Sequence, residues 1–167
     1  MSRVWRVPAD VDTDQLAPGS TMKHGIAVTA AECLARVRDD FARCVRRGDV
    51  IAAGANFGIG SSREQAASVL VHLGVAAVIA PSFSGLYFRN AFNVGLLLVV
   101  CAEAALLEEG ESVVVDARNN RILRADGSAL ACTPTPAFLL DMVDAGGLLP
   151  RLKQRLEERR CAPNSNS

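Results

Sequence analysis

Apolar positions along the chain switch between two periods. Arg3 to Val7 alternates and predicts a short strand. Val50 to Ala53 is a short continuous apolar run and reads as a second strand. Beyond it Ala66, Val69, Leu70 and Leu73 fall at i, i+3, i+4 and i+7, one face of a helix that Gly74 is placed to end. Val75 to Ala80, bounded by Gly and Pro, reads as a strand buried on both sides. Leu86 to Phe92 reads as helix, and Leu96 to Val100 as another buried strand. Strand–helix units in direct succession predict right-handed βαβ crossovers and a partly parallel sheet, an α/β fold.

The flanks carry weaker signals. Thr29-Ala30-Ala31-Glu32 has the form of a capping box and predicts a short amphipathic helix carrying Leu34 and Val37. Ser20 to Val28 has little periodicity and reads as a flexible loop. Ala102 to Glu108 reads as a helix. Ser112 to Asp116 and Arg121 to Arg124 flank Asn119-Asn120 and read as a hairpin. Pro136 to Val143 begins with proline at a first helical turn, and Leu148 to Arg159 is a charged amphipathic helix. Residues 1–160 are expected to form one domain, and Cys161 to Ser167 a flexible tail.

Composition narrows the class. Half of the 167 residues are apolar but only 5% are aromatic, so the core must be built mainly of Ala, Val, Leu and Ile. Lys plus Arg equals Asp plus Glu, 18 each, which gives no net field toward nucleic acid or a membrane surface. No apolar run approaches the ~20 residues needed to span a bilayer, and no signal-peptide pattern is present, so a cytoplasmic protein is expected. The five cysteines are scattered without C-x-x-C spacing, which argues against a disulfide framework or a zinc site.

The chemistry concentrates in Gly54-Ala55-Asn56-Phe57-Gly58-Ile59-Gly60-Ser61-Ser62-Arg63-Glu64, between a strand and a helix. Glycines let the backbone turn and approach a ligand closely, Ser61 or Ser62 is a natural N-cap, and the free N–H groups of a helix start attract anions. Arg63 adds a planar fork for a carboxylate or phosphate. Asp10-Val11-Asp12-Thr13-Asp14 has alternating carboxylates, but it lacks the glycine and distal glutamate of a calcium loop. Local bonding to backbone N–H groups, or orientation of a catalytic group, are the other readings. Lys23 and His24 are a solvated surface pair or ligand contacts on a loop. Asn90 and Asn93 contact a ligand or bond backbone at helix ends.

These segments, in this order and with Ser82-Phe83, Tyr87-Phe88-Arg89-Asn90-Ala91 and Asn93-Val94-Gly95, resemble the small subunits of 3-isopropylmalate dehydratase, in the aconitase superfamily. The resemblance implies a swivelling β/β/α domain whose partly parallel sheet is flanked by helices. It implies a [4Fe–4S] cluster on a separate large subunit, no cofactor and no metal ligand in this chain, and an active site formed where the two meet. The implied reaction removes water from a hydroxy-dicarboxylate and adds it back at the neighbouring carbon. By motif position Ser61 resembles the serine whose alkoxide takes the proton from carbon. Ser62 and Arg63 resemble its substrate-binding neighbours, and Asp14 an aspartate that supports the site. One place departs: relatives usually carry Tyr-Leu after the Pro-Gly turn, where this chain has Ser20-Thr21-Met22-Lys23-His24. That exchange of a large ring for a cation makes Lys23 and His24 candidate substrate contacts. It leaves dimethylmalate-, citramalate- or homocitrate-type acids open beside isopropylmalate. A non-catalytic anion-binding regulatory module is the alternative from another class.

Overall fold

The structure, a computed structural model, describes residues 1–161. Seven strands form one sheet in the order β4-β3-β2-β1-β5-β6-β7. The first four are β1 (Ser2–Val7), β2 (Val50–Ala53), β3 (Ala77–Ala80) and β4 (Leu97–Val100), all parallel. β5 (Ser112–Asp116), β6 (Arg121–Arg124) and β7 (Ala129–Ala131) are antiparallel. β1 is therefore the seam, parallel to β2 on one side and antiparallel to β5 on the other.

The period-2 rule divides the buried strand residues between two cores. Trp5, Val7, Ile51, Ala53, Val78, Ala80 and Leu98 face the helices. There they meet α2 (Ile26–Ala31), α3 (Phe41–Cys44), α4 (Gln65–His72) and α5 (Gly85–Asn93), following the short α1 (Thr13–Leu16). Val4, Val50, Ala52, Ala77, Ile79 and Val99 face the other way and pack on Val113, Ile122 and Leu130 of the antiparallel strands. The sheet thus curls back over its own second face, giving sheet, sheet and helix layers. A backbone bond from the Thr133 N–H to the Val100 carbonyl (2.8 Å) ties the chain after β7 to the end of β4. α6 (Ala137–Ala145) and α7 (Leu148–Cys161) close the chain. The tail expected from Cys161 onward lies, apart from Cys161 itself, outside the described residues.

The strands, the βα units and the β5–β6 hairpin match the sequence reading. Three expectations do not hold. Thr29 caps nothing: it lies inside α2, where its hydroxyl donates to the Gly25 carbonyl (3.0 Å). α2 stops at Ala31 because Leu34 turns fully into the core at φ 60°, its N–H donating to the Gln15 carbonyl (2.8 Å). The Ser20–Val28 segment is ordered into a 3-10 turn, Met22–His24, and the first half of α2. Ala102 to Glu108 yields only a 3-10 turn, Ala104–Leu106, because Ala104 and Leu107 are both drawn into the second core.

Candidate functional site

The three motif segments leave the carboxyl ends of β1, β2 and β3, where ligands bind in open parallel sheets. The glycine-rich loop after β2 is fastened on both sides. Gly58 N–H donates to the Val11 carbonyl (2.7 Å) and Thr13 N–H to the Ile59 carbonyl (2.8 Å). Phe57 N–H donates to the Ser82 carbonyl (3.1 Å), and Ser84 N–H returns to the Phe57 carbonyl (3.0 Å). Phe57 is fully buried, edge-on to Tyr87 with ring centroids 5.4 Å apart. Two glycines are dictated by sterics. Gly58 has φ 81°, and a Cβ there would stand 2.2 Å from the Tyr87 Cγ. Gly60 has φ 105° and would place a Cβ 3.0 Å from the Thr13 Oγ1.

Ser61 and Ser62 are exposed at the end of this loop. Neither is the N-cap expected from sequence. α4 begins at Gln65 with Glu64 before it in helical conformation and no side-chain cap. The serines are held out of the helix by other partners. Ser61 N–H donates to Thr13 Oγ1 (3.1 Å), and the two hydroxyl oxygens lie 3.3 Å apart. The Ser62 carbonyl accepts from Asn90 Nδ2 (2.9 Å).

Arg63 reaches back to the same Asp12–Asp14 segment. Its Nη1 donates to Asp14 Oδ1 (3.0 Å) and to the Ala17 carbonyl (3.2 Å). Its Nε and Nη2 make no hydrogen bond to the protein among the described residues, which leaves one edge of the fork for a ligand. Asp14 Oδ1 also accepts from Gly19 N–H (3.0 Å). The Gly19 N–H first, and the Arg63 guanidinium next, hold the Asp14 carboxyl below its ordinary value. Asp12 takes the local role foreseen for these acids: it caps α1 by accepting from Gln15 N–H (2.8 Å). A cleft of about 260 Å³ opens beside Asp14, lined by Pro18, Thr21, Glu32 and Arg36 among others. The larger cavity of about 550 Å³ near Arg47, His72 and Val75 touches the motif segments only at Gly95 and is lined by none of Asp14, Ser61, Ser62 or Arg63.

Lys23 and His24 take no part in the hydrogen bonds that hold the motif together. Both are exposed on the 3-10 turn, and neither makes a hydrogen bond or ion pair with Ser61, Ser62 or Arg63. Asn90, read as a ligand contact or a backbone bond, takes the backbone role at Ser62, and Thr13 is the contributor that residue type alone did not single out. Thr13 is 3% exposed, a burial that no local pattern announces.

The Aconitase C-terminal domain family model matches residues 20–104. The chain is 36% identical over 155 residues to 3-isopropylmalate dehydratase small subunit 1 of Thermotoga maritima, covering 91% of this chain and 93% of that one. The chain belongs to this family. Another member, the methanogen homoaconitase small subunit of Methanothermobacter thermautotrophicus, is 40% identical over 149 residues, 88% of this chain and 86% of its own. The crystal structure of the 3-isopropylmalate dehydratase LeuD from Methanocaldococcus jannaschii superimposes with a TM-score of 0.88 at 34% identity, covering 95% of this chain and 96% of that one. The family's mixed, curled sheet flanked by helices is thus the fold of this chain, as the resemblance implied.

An iron–sulfur cluster needs several cysteine thiolates converging on it. Cys33 and Cys101 are buried, Cys44 and Cys161 exposed and Cys132 half-buried. Burial pushes the Cys33 thiol far up. Among the described residues no three or more His, Cys, Asp or Glu gather where they could hold a metal ion. The cysteines of the described residues, scattered between core and surface, do not fit such a cluster. Among the same residues no helix is long and apolar enough to cross a membrane.

Proposed function

We propose that this chain is the small subunit of a two-subunit hydro-lyase that interconverts 2-isopropylmalate and 3-isopropylmalate by dehydration and rehydration, a step of leucine biosynthesis. One observation supports the reading above the others. In a member of this family, Ser61 and Arg63 are each held by the Asp12–Asp14 segment, at the carboxyl edge of the parallel sheet.

A proton beside a carboxylate is weakly acidic, so the reaction needs a strong base and stabilisation of charge. Ser61 Oγ takes that proton as the alkoxide. Arg63 binds a substrate carboxylate through Nε and Nη2 while Asp14 fixes Nη1. The exposed Ser62 hydroxyl adds a neutral donor or acceptor beside them. The large subunit would hold the [4Fe–4S] cluster, which would supply Lewis acidity toward the leaving hydroxyl. This chain alone holds half a site and is inactive.

The test is the complex reconstituted with its large subunit and assayed against a panel of 2-hydroxy dicarboxylates. Isopropylmalate should be isomerised. Ser61→Ala should reduce kcat about 10²- to 10⁴-fold, the range of a lost general base, with assembly intact. Retained turnover in that variant would sink the assignment. A second reading keeps the chemistry and changes the acid. It is favoured by Lys23 and His24 on the turn where relatives usually carry Tyr-Leu, and by the homoaconitase relative. A panel ranking led by a more polar acid, and lost on Lys23→Ala, would select it.

A further inference from the structure

We infer that Thr13 is a positioning residue for proton transfer: its Oγ1 accepts the Ser61 N–H while its hydroxyl hydrogen serves the Ser61 Oγ. The inference rests on Ser61 being the base.

Three features of the structure, with the bonding capacity of a hydroxyl, carry it. Thr13 is almost fully buried, so water does not compete freely for its hydroxyl. A threonine hydroxyl has one donor and two acceptor sites. One acceptor site is taken by Ser61 N–H at 3.1 Å. Among the described residues the only other polar atom bonded to that hydroxyl is Ser61 Oγ at 3.3 Å, where either oxygen can donate.

The protonation state of Ser61 decides the direction. As a neutral hydroxyl, Ser61 can donate to Thr13. As an alkoxide it has no hydrogen and can only accept, so Thr13 must donate. The bond then becomes charge-assisted, shorter and about twice as strong. A bond stronger to the charged form favours that form. Thr13 therefore lowers the proton affinity of Ser61 and aims its oxygen, without touching substrate.

The surroundings keep the pair in register. Thr13 opens α1, which Asp12 caps, and its own N–H is fixed to the Ile59 carbonyl at 2.8 Å. Gly60 has no side chain, and a Cβ there would stand 3.0 Å from the Thr13 Oγ1. The hydroxyl thus sits between two loops with Ser61 in front of it.

The experiment uses the reconstituted complex with isopropylmalate, comparing Thr13→Val, Thr13→Ser and Ser61→Ala. Thr13→Val keeps the branched shape and removes the hydroxyl, and Thr13→Ala replaces it should the valine crowd Gly60. The hydroxyl-free variant should lose about ten- to a hundredfold in kcat, the effect of one hydrogen bond to a charged group. The pH at which kcat levels off should rise by about one to two units, the same effect expressed on proton affinity. KM and assembly with the large subunit should change little, and Thr13→Ser should restore both rate and profile. A hydroxyl-free variant that loses rate with an unmoved pH profile, or that keeps wild-type rate, overturns the inference while leaving Ser61 as base. Full turnover by Ser61→Ala overturns the reading beneath it instead.

Discussion

On the proposed function Arg63 is divided between two tasks, and the division belongs to the planarity of its side chain. Nη1 is anchored on Asp14 and the Ala17 carbonyl, and on the same proposal the opposite edge takes a substrate carboxylate. A lysine could keep a charge near Asp14, but it has no second edge. Arg63→Lys in the reconstituted complex should therefore lower kcat/KM about ten- to a hundredfold, as for loss of a charged hydrogen bond, mostly through KM. Steady-state kinetics checks this, and a change within twofold would remove Arg63 from the carboxylate contact. At this scale the motif made Ser61, Ser62 and Arg63 legible, because glycine spacing and residue type are local. Thr13 was visible only as the middle of an Asp-Thr-Asp triplet. Its partner is Ser61, 48 positions away, and its burial depends on how two loops cross. Lys23 and His24 stood out by type, and neither joins the hydrogen bonds that tie Ser61 and Arg63 to the Asp12–Asp14 segment.

Among the elements, the loop between β2 and α4 is shaped by what presses on it from α5. Gly58 faces the ring of Tyr87, itself fully buried with its hydroxyl donating to the Ala66 carbonyl (3.3 Å). Gly58→Ala combines a left-handed backbone, costing about 1–3 kcal/mol, with overpacking of a similar size. Thermal unfolding should show a Tm lower by about 5–20 °C, at 2–4 °C per kcal/mol for a chain of this length. A variant melting within about a degree of the parent would mean that Tyr87 moves aside at little cost. Strand periodicity and the βα alternation were readable because burial on both faces leaves unbroken apolar runs such as Val75–Ala80. The capping box at Thr29 misled because Leu34, from beyond the helix, has its own place in the core. β7, only three residues long, is paired through its neighbour β6 rather than marked by pattern.

For the molecule as a whole, acid is the condition that tests its ion pairs. Burial alone would raise the pKa of Asp49. Hydrogen bonds from Trp5 Nε1 (2.8 Å), the Arg46 N–H (2.9 Å) and Arg3 (3.3 Å) outweigh it and hold the carboxyl below its ordinary value. Arg124 does the same for Glu111. A carboxyl depressed in the folded state contributes stability above its unfolded pKa, about 3.9 for Asp and 4.3 for Glu, and loses it as pH falls through the folded value. Tm should be level from about pH 7 to 5 and fall below about pH 4. Asp49→Asn should lower Tm at neutral pH, and the gap should narrow toward about pH 2, when both chains are uncharged there. A gap that is constant with pH would count against the carboxylate's charge. The seam position of β1 has a consequence for how the chain is assembled in time. Its parallel partner begins at Val50, and its antiparallel contacts wait for Ser112 and Val113. Until those residues have been synthesised, the strand that joins the two halves is an open edge able to template other chains. Closing loops of that length before any reward from pairing makes for slow folding, and it makes β1 the segment that most needs shielding on a nascent chain.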